Sequence, residues 1–215
     1  MTRRLFTLAA ALTLSLPALA WPDKPVSLVV PFPPGGSTDL IARTLQPKLQ
    51  ELLGGTWVVE NKAGATGTIG AGGVARSAAD GHTLLVASLG PFVIAPHLSK
   101  TNYDALKDLD PITIVVQAPN VLVVPAGSPH KTLADVSAYL KASPGKMTFA
   151  SSGNGSSDHL TAELFWQQTA TSGVHVPYKG GGPVMQDLLG AQVDSSFMNI
   201  NTAMPQLKAG KLRAL

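Results

Sequence analysis

Val26-Ser27-Leu28-Val29-Val30 runs directly into Pro31-Phe32-Pro33-Pro34-Gly35-Gly36-Ser37-Thr38-Asp39. The first five residues are a near-continuous apolar run, the pattern of a strand covered on both faces of a parallel sheet. The proline- and glycine-rich piece reads as a loop, with Ser37 placed to cap the helix that follows. In that helix Leu40, Ile41, Leu45, Leu49, Leu52 and Leu53 fall on one stripe, and Gly54 ends it. Pro47 lacks a backbone donor and predicts a kink. A strand, a glycine loop and a helix make up the repeating unit of an α/β fold.

The unit recurs outward from this stretch. Thr56–Glu60 and Thr83–Ala87 are further apolar runs, and a weaker helix over 68–78 carries Gly70, Gly72 and Gly73. Near Pro111 the pattern changes. Ile112–Gln117 and Val121–Val124 read as two strands joined by Ala118-Pro119-Asn120, with no helix between them. The chain is therefore expected to pass here to a second sheet. Alternation then resumes: a helix from Thr132 to about Ser143, a strand at Met147–Ala150, a helix over Ser157–Gln168 and a strand at Val174–Val176. Pro183 is placed to open the next helix, which Gly190 closes. A strand at Val193–Met198, a helix over Asn201–Ala209 and a strand start at Leu212–Leu215 complete the reading. The fold class is α/β, with two sheets joined near 117–121.

The chain has 215 residues, 45% of them hydrophobic and 13% charged, which excludes a disordered chain and leaves ample apolar mass for a core. It contains no Cys, which excludes a disulfide scaffold, a thiolate metal site and a cysteine nucleophile. Thr2-Arg3-Arg4, an uncharged run from Leu5 to Leu16, and Pro17-Ala18-Leu19-Ala20 form a secretory signal with expected cleavage after Ala20. The run is shorter than the roughly 20 apolar residues that span a bilayer. The expected location is the periplasm. The net charge of +3 falls to +1 without Arg3 and Arg4, too weak a bias for a nucleic-acid partner.

In folds of this class ligands sit where strand ends meet helix N-termini. Two loops have that setting. Phe32, Pro34, Gly35, Gly36 and Ser37 belong to the first, where glycines admit a ligand close to the backbone and free amides favour an anion. The second is Ala150-Ser151-Ser152-Gly153-Asn154-Gly155-Ser156-Ser157-Asp158-His159. Its candidates are Ser151, Gly153, Asn154, Gly155, Ser156 and Ser157. Either loop could instead be a plain turn, the second a flexible one. Ser88, Tyr178 of Tyr178-Lys179-Gly180-Gly181-Gly182, and Asn199 are weaker candidates. Catalytic patterns fail on inspection. There is no Gly-x-Ser-x-Gly elbow, no phosphate-binding loop around Gly145-Lys146, and no metal-ligand spacing among the five His residues. No metal, cofactor or catalytic residue is expected.

Trp21-Pro22-Asp23-Lys24-Pro25, Val29–Asp39, Val59-Glu60-Asn61-Lys62-Ala63-Gly64 and Asp80-Gly81-His82-Thr83-Leu84-Leu85 together resemble the Bug receptors, the periplasmic substrate-binding proteins of tripartite tricarboxylate transporters. So do Asp110-Pro111-Ile112-Thr113, Ala150–Ser157, His175-Val176-Pro177-Tyr178-Lys179-Gly180 and Gly210–Leu215. The resemblance implies a type II periplasmic binding fold, two doubly wound lobes around a cleft: lobe 1 over 21–117 and lobe 2 over 118–215. It implies a small mono- or dicarboxylate ligand held by backbone amides and hydroxyls from Phe32–Thr38 and Ser151–Ser157. Gly72-Gly73 departs from the family pattern. Family members also run on past the position of Leu215 to return to lobe 1, so the resemblance implies a C-terminally truncated form with lobe 1 incomplete. The implied partners are membrane transporter subunits or, in a signalling role, a sensor kinase, with the receptor a monomer. The rival reading is a secreted hydrolase using Ser156 or Ser157 with a His.

Overall fold

The computed structural model describes residues 21–215; the expected signal segment lies outside the described residues. The first sheet has three parallel strands in the order β2-β1-β3: β1 (Val26–Val30), β2 (Trp57–Asn61) and β3 (Thr83–Leu85). Helix α1 (Ser37–Leu53) connects β1 to β2 and runs on through Pro47. Val26, Leu28 and Trp57 form the buried cluster of this lobe, with Leu49 of α1 packed against it. A 3-10 turn (Ala65–Gly67) leads into α2 (Thr68–Ala75). The glycines of α2 cost helix propensity, and their packing explains them. A Cβ at Gly70 would lie 2.7 Å from the Lys62 carbonyl oxygen and from Pro31 Cβ, so only glycine lets α2 sit this close to the end of β1. A π turn (Gly90–Ile94) and the short α3 (Ala95–Leu98) follow.

The second sheet has five strands in the order β6-β5-β7-β4-β8. They are β4 (Asn120–Pro125), β5 (Thr148–Ser151), β6 (Val174–Pro177), β7 (Ser195–Asn199) and β8 (Leu212–Ala214). Strand β5 is parallel to β6 and β7, whereas β4 is antiparallel to both β7 and β8, so the sheet is mixed. Between the strands lie α4 (Leu133–Ala142), α5 (Ser157–Thr169), α6 (Gly181–Leu189) and α7 (Ile200–Lys208). Strand alternation divides the core between two faces. Leu122 and Val124 join Val136, Leu140, Phe149 and Trp166 on one side. Val123 joins Ala150, Val184, Leu188 and Met198 on the other.

Three expectations change. Ile112–Gln117 is not a strand: it has no ladder partner among the described residues, and both edges of β4 are taken by β7 and β8. Its apolar side chains lie open, with Ile112 79% and Ile114 73% exposed. The N-cap of α1 is Gly36 rather than Ser37, and no side chain caps it. Helix α6 begins at Gly181, two residues before Pro183.

Candidate functional site

The loop after β1 is held from beneath. Asp39, buried on the first turn of α1, accepts the Gly35 amide at 3.0 Å and the Arg43 Nε at 3.0 Å. Asn61, at the end of β2, donates its amide both to the Phe32 carbonyl and to Asp39 Oδ1, each at 2.9 Å. Burial opposes ionisation of Asp39, but the bonds from Arg43, Gly35 and Asn61 outweigh it and hold the carboxyl below its usual range. Gly35 has φ +87°, a turn conformation natural to glycine. The loop is therefore shaped by a charge its own helix carries.

The loop after β5 is braced as thoroughly. Asp158 accepts the Ser152 amide at 2.6 Å and the Ser152 hydroxyl at 2.8 Å. Ser156 is the N-cap of α5, and its hydroxyl donates to the Gly153 carbonyl at 2.6 Å. His159 Nδ1 accepts the Gly155 amide at 3.0 Å. Its ring stacks on His175 at 3.9 Å, and His175 Nε2 lies 2.6 Å from Ser151 Oγ. Burial, with His159 adding to it, pushes the His175 imidazole below its ordinary value. These bonds are the reverse of a flexible turn.

The two loops face each other across one pocket. It is lined by the start of α1 (Gly36, Ser37, Thr38), the start of α5 (Ser156, Ser157, Asp158), Gly181 at the start of α6, and Asn199 and Thr202 at the start of α7. Asn199 caps α7 by accepting the Asn201 amide. Phe32, Val184 and Met198 supply an apolar wall, and Thr66, Ser88, Gly90, Asn120 and Ser152 complete it. Four helix N-termini thus open on one space, each bearing roughly half a positive charge. Among the described residues no Lys or Arg lines that space. The chemistry on offer is hydrogen-bond donation to an anion from amides and hydroxyls.

Of the sequence candidates, Phe32, Gly36, Ser37, Ser88, Ser156, Ser157 and Asn199 meet at the pocket. Ser151, Gly153 and Gly155 hydrogen-bond within the second loop or to the His residues beside it, and Asn154 meets the first lobe through its carbonyl. Pro34 and Gly35 lie against Gly182 of the facing lobe. Tyr178 is directed elsewhere. Its hydroxyl donates to Asp187 on α6, its ring packs on the Val184–Leu188 cluster, and burial first, then that bond, push its pKa up to about 12. Thr66, Asn120, Met198 and Thr202 were not singled out in the sequence. Thr66, with φ +52°, spans the cleft to donate to the Asn154 carbonyl at 2.9 Å. No local motif marks it. The Ser–His pair that forms is Ser151–His175, not one with Ser156 or Ser157, and Ser151 is 1% exposed. That hydroxyl fixes a loop and is closed to a substrate.

Known proteins resemble the chain over most of its length. Residues 41–215 match the family described as "Tripartite tricarboxylate transporter family receptor". The chain is 40% identical over 213 residues to Protein BugT of Bordetella pertussis, covering 98% of this chain and 65% of that protein. It superposes with TM-score 0.88 and 42% identity on a solved structure described as a periplasmic transporter, covering 91% of this chain and 66% of the other. A protein of R. palustris solved with adipate gives TM-score 0.85 and 34% identity over the same shares. The chain thus spans about two thirds of the length of the relatives it matches. In sequence and in two-lobed α/β periplasmic-binding architecture alike, the chain belongs to the tripartite tricarboxylate transporter family of receptors.

Proposed function

We propose that the chain is a periplasmic solute-binding receptor that captures a small mono- or dicarboxylate in the inter-lobe pocket and performs no chemistry on it. The observation that carries this is the pocket wall: four helix N-termini with serine and threonine hydroxyls, and no basic side chain among the described lining residues. Such a wall favours an anion through fixed dipoles and donors, while Phe32 and Met198 accommodate an aliphatic body. The adipate bound by a relative is of this class.

Under this reading lobe 1 comprises residues 21–117 and lobe 2 residues 118–215. The signal is cleaved after Ala20, and the monomer hands its ligand to membrane transporter subunits or presents it to a sensor kinase. The ligand contacts come from Phe32, Gly36, Ser37, Ser88, Ser156, Ser157 and Asn199. The test is a thermal-shift panel of mono- and dicarboxylates beside their neutral amides. An acid at 100 times its dissociation constant adds about 2.7 kcal/mol of stability. Equal stabilisation by an acid and its amide, or none by any acid, refutes the reading.

A further inference from the structure

The lobes touch along a seam to which the second lobe brings only glycine backbone. Pro33-Pro34-Gly35-Gly36 of the first lobe lies on Gly180-Gly181-Gly182 of the second. A Cβ on Gly36 would be 3.5 Å from the Gly181 nitrogen, one on Gly35 would be 3.6 Å from Gly182 Cα, and one on Gly180 would be 2.7 Å from Pro33 Cδ. At Gly182 an added Cβ would overlap the Pro34 carbonyl oxygen, and the next nearest atoms are again Pro34 and Gly35.

Gly182 has no need to be glycine for the sake of its own lobe. It lies within α6 without a positive φ, where alanine is the better helix former. The atoms that exclude a side chain there all belong to the facing lobe. We infer that the Gly180–Gly182 tract and Pro33–Gly36 form a closure latch, a contact made close by the glycine backbone of the second lobe, that lets the lobes shut over the pocket. Gly36 and Gly181 also line the pocket, whereas Gly182 does not, and the latch rests on the receptor reading only for the use to which closure is put. The seam also sets the N-terminus of α1 against that of α6. Two like partial charges oppose one another there, so the latch holds best with an anion between them. A methyl group at 182 would stand about 1 Å inside van der Waals contact. It would prop the lobes apart and withdraw one wall of the pocket from the other.

The test uses the full chain with spin labels on Lys48→Cys and Lys141→Cys, exposed positions on α1 and α4 in a sequence without other cysteines. Inter-lobe distances are measured with and without adipate, alongside calorimetric titration. The parent is expected to populate a short distance, and adipate to raise the fraction of molecules at that distance. Gly182→Ala should lose that population and bind adipate at least tenfold more weakly, with no fall in its ligand-free melting temperature. Gly73→Ala adds a methyl in open space on α2 and should bind like the parent. A Gly182→Ala chain that closes like the parent, or one that melts earlier without ligand, overturns the latch. So does a parent that never reaches the short distance. A parent that binds no carboxylate but loses closure on Gly182→Ala sinks the receptor reading and leaves the latch standing.

Discussion

Replacing Asp39 with Ala tests whether the first loop is held by the charge beneath it. The substitution removes an acceptor from the Gly35 amide and from Asn61 Nδ2, and the partner of Arg43 Nε. Bonds to a charged group contribute about 1.5–3 kcal/mol each, but Asn61 keeps its second bond, to Phe32. Arg43 is half exposed, so its i,i+4 pair adds only about 0.3–0.5 kcal/mol. The expected loss is about 3 kcal/mol, a fall in melting temperature of roughly 6–12 °C for a chain of this size. Urea unfolding followed by circular dichroism measures it. The pH dependence gives a second readout. The folded carboxyl titrates below its ordinary value near 3.8, so its contribution is complete above that value. It is lost as pH falls through the folded value. The parent should therefore lose more stability than Asp39→Asn on acidification below about pH 4. A loss for Asp39→Ala within about 0.5 kcal/mol of zero, the range of an ordinary surface change, would refute the bracing role. So would identical acid responses of the parent and Asp39→Asn.

His175 titrates below its ordinary 6.5 in the folded chain, so stability should be full above pH 6.5 and fall as pH drops through the depressed value. His175→Gln should flatten that stretch of a stability-against-pH curve. Tyr178→Phe removes the bond to Asp187 and should cost about 1–2 kcal/mol in chemical unfolding while leaving carboxylate affinity within twofold of the parent. Asn199→Ala removes the cap of α7, with an expected cost of about 1 kcal/mol, and, because Asn199 lines the pocket, should also weaken carboxylate binding in titration calorimetry. Ile112→Lys with Ile114→Lys should reduce aggregation in light scattering without lowering the melting temperature, because both side chains are open and pack on no core.

The local signals in the chain carried far. Val26–Val30 lies buried in β1, Gly54 ends α1, and Thr132 caps α4 with Asp135 completing the capping box. Each depends on neighbours a few residues away, which a sequence displays. The glycine loops after β1 and β5 were legible for the same reason: each is a strand, a turn and a helix start in one contiguous run. Gly36, Ser37, Ser156 and Ser157 could be read from that run, and all four line the pocket. What remained hidden depends on partners far along the chain. Ile112–Gln117 has the composition of a strand, but a strand exists only where another offers it a ladder, and among the described residues none does. Tyr178 stands beside a glycine tract that meets the facing lobe, yet its hydroxyl finds Asp187 one helix turn into α6 and beyond. Thr66, Asn120, Met198 and Thr202 come to one pocket from separate stretches of sequence. The sequence by itself determined which segments are strands, which are helices and which turns present free amides, because those follow from short-range sterics and hydrogen bonding. Only the tertiary structure decided which of those amides share a pocket, and that a side chain at 182 is excluded by the opposite lobe. Such contacts arise between groups that covalent distance leaves independent until the two sheets are brought together.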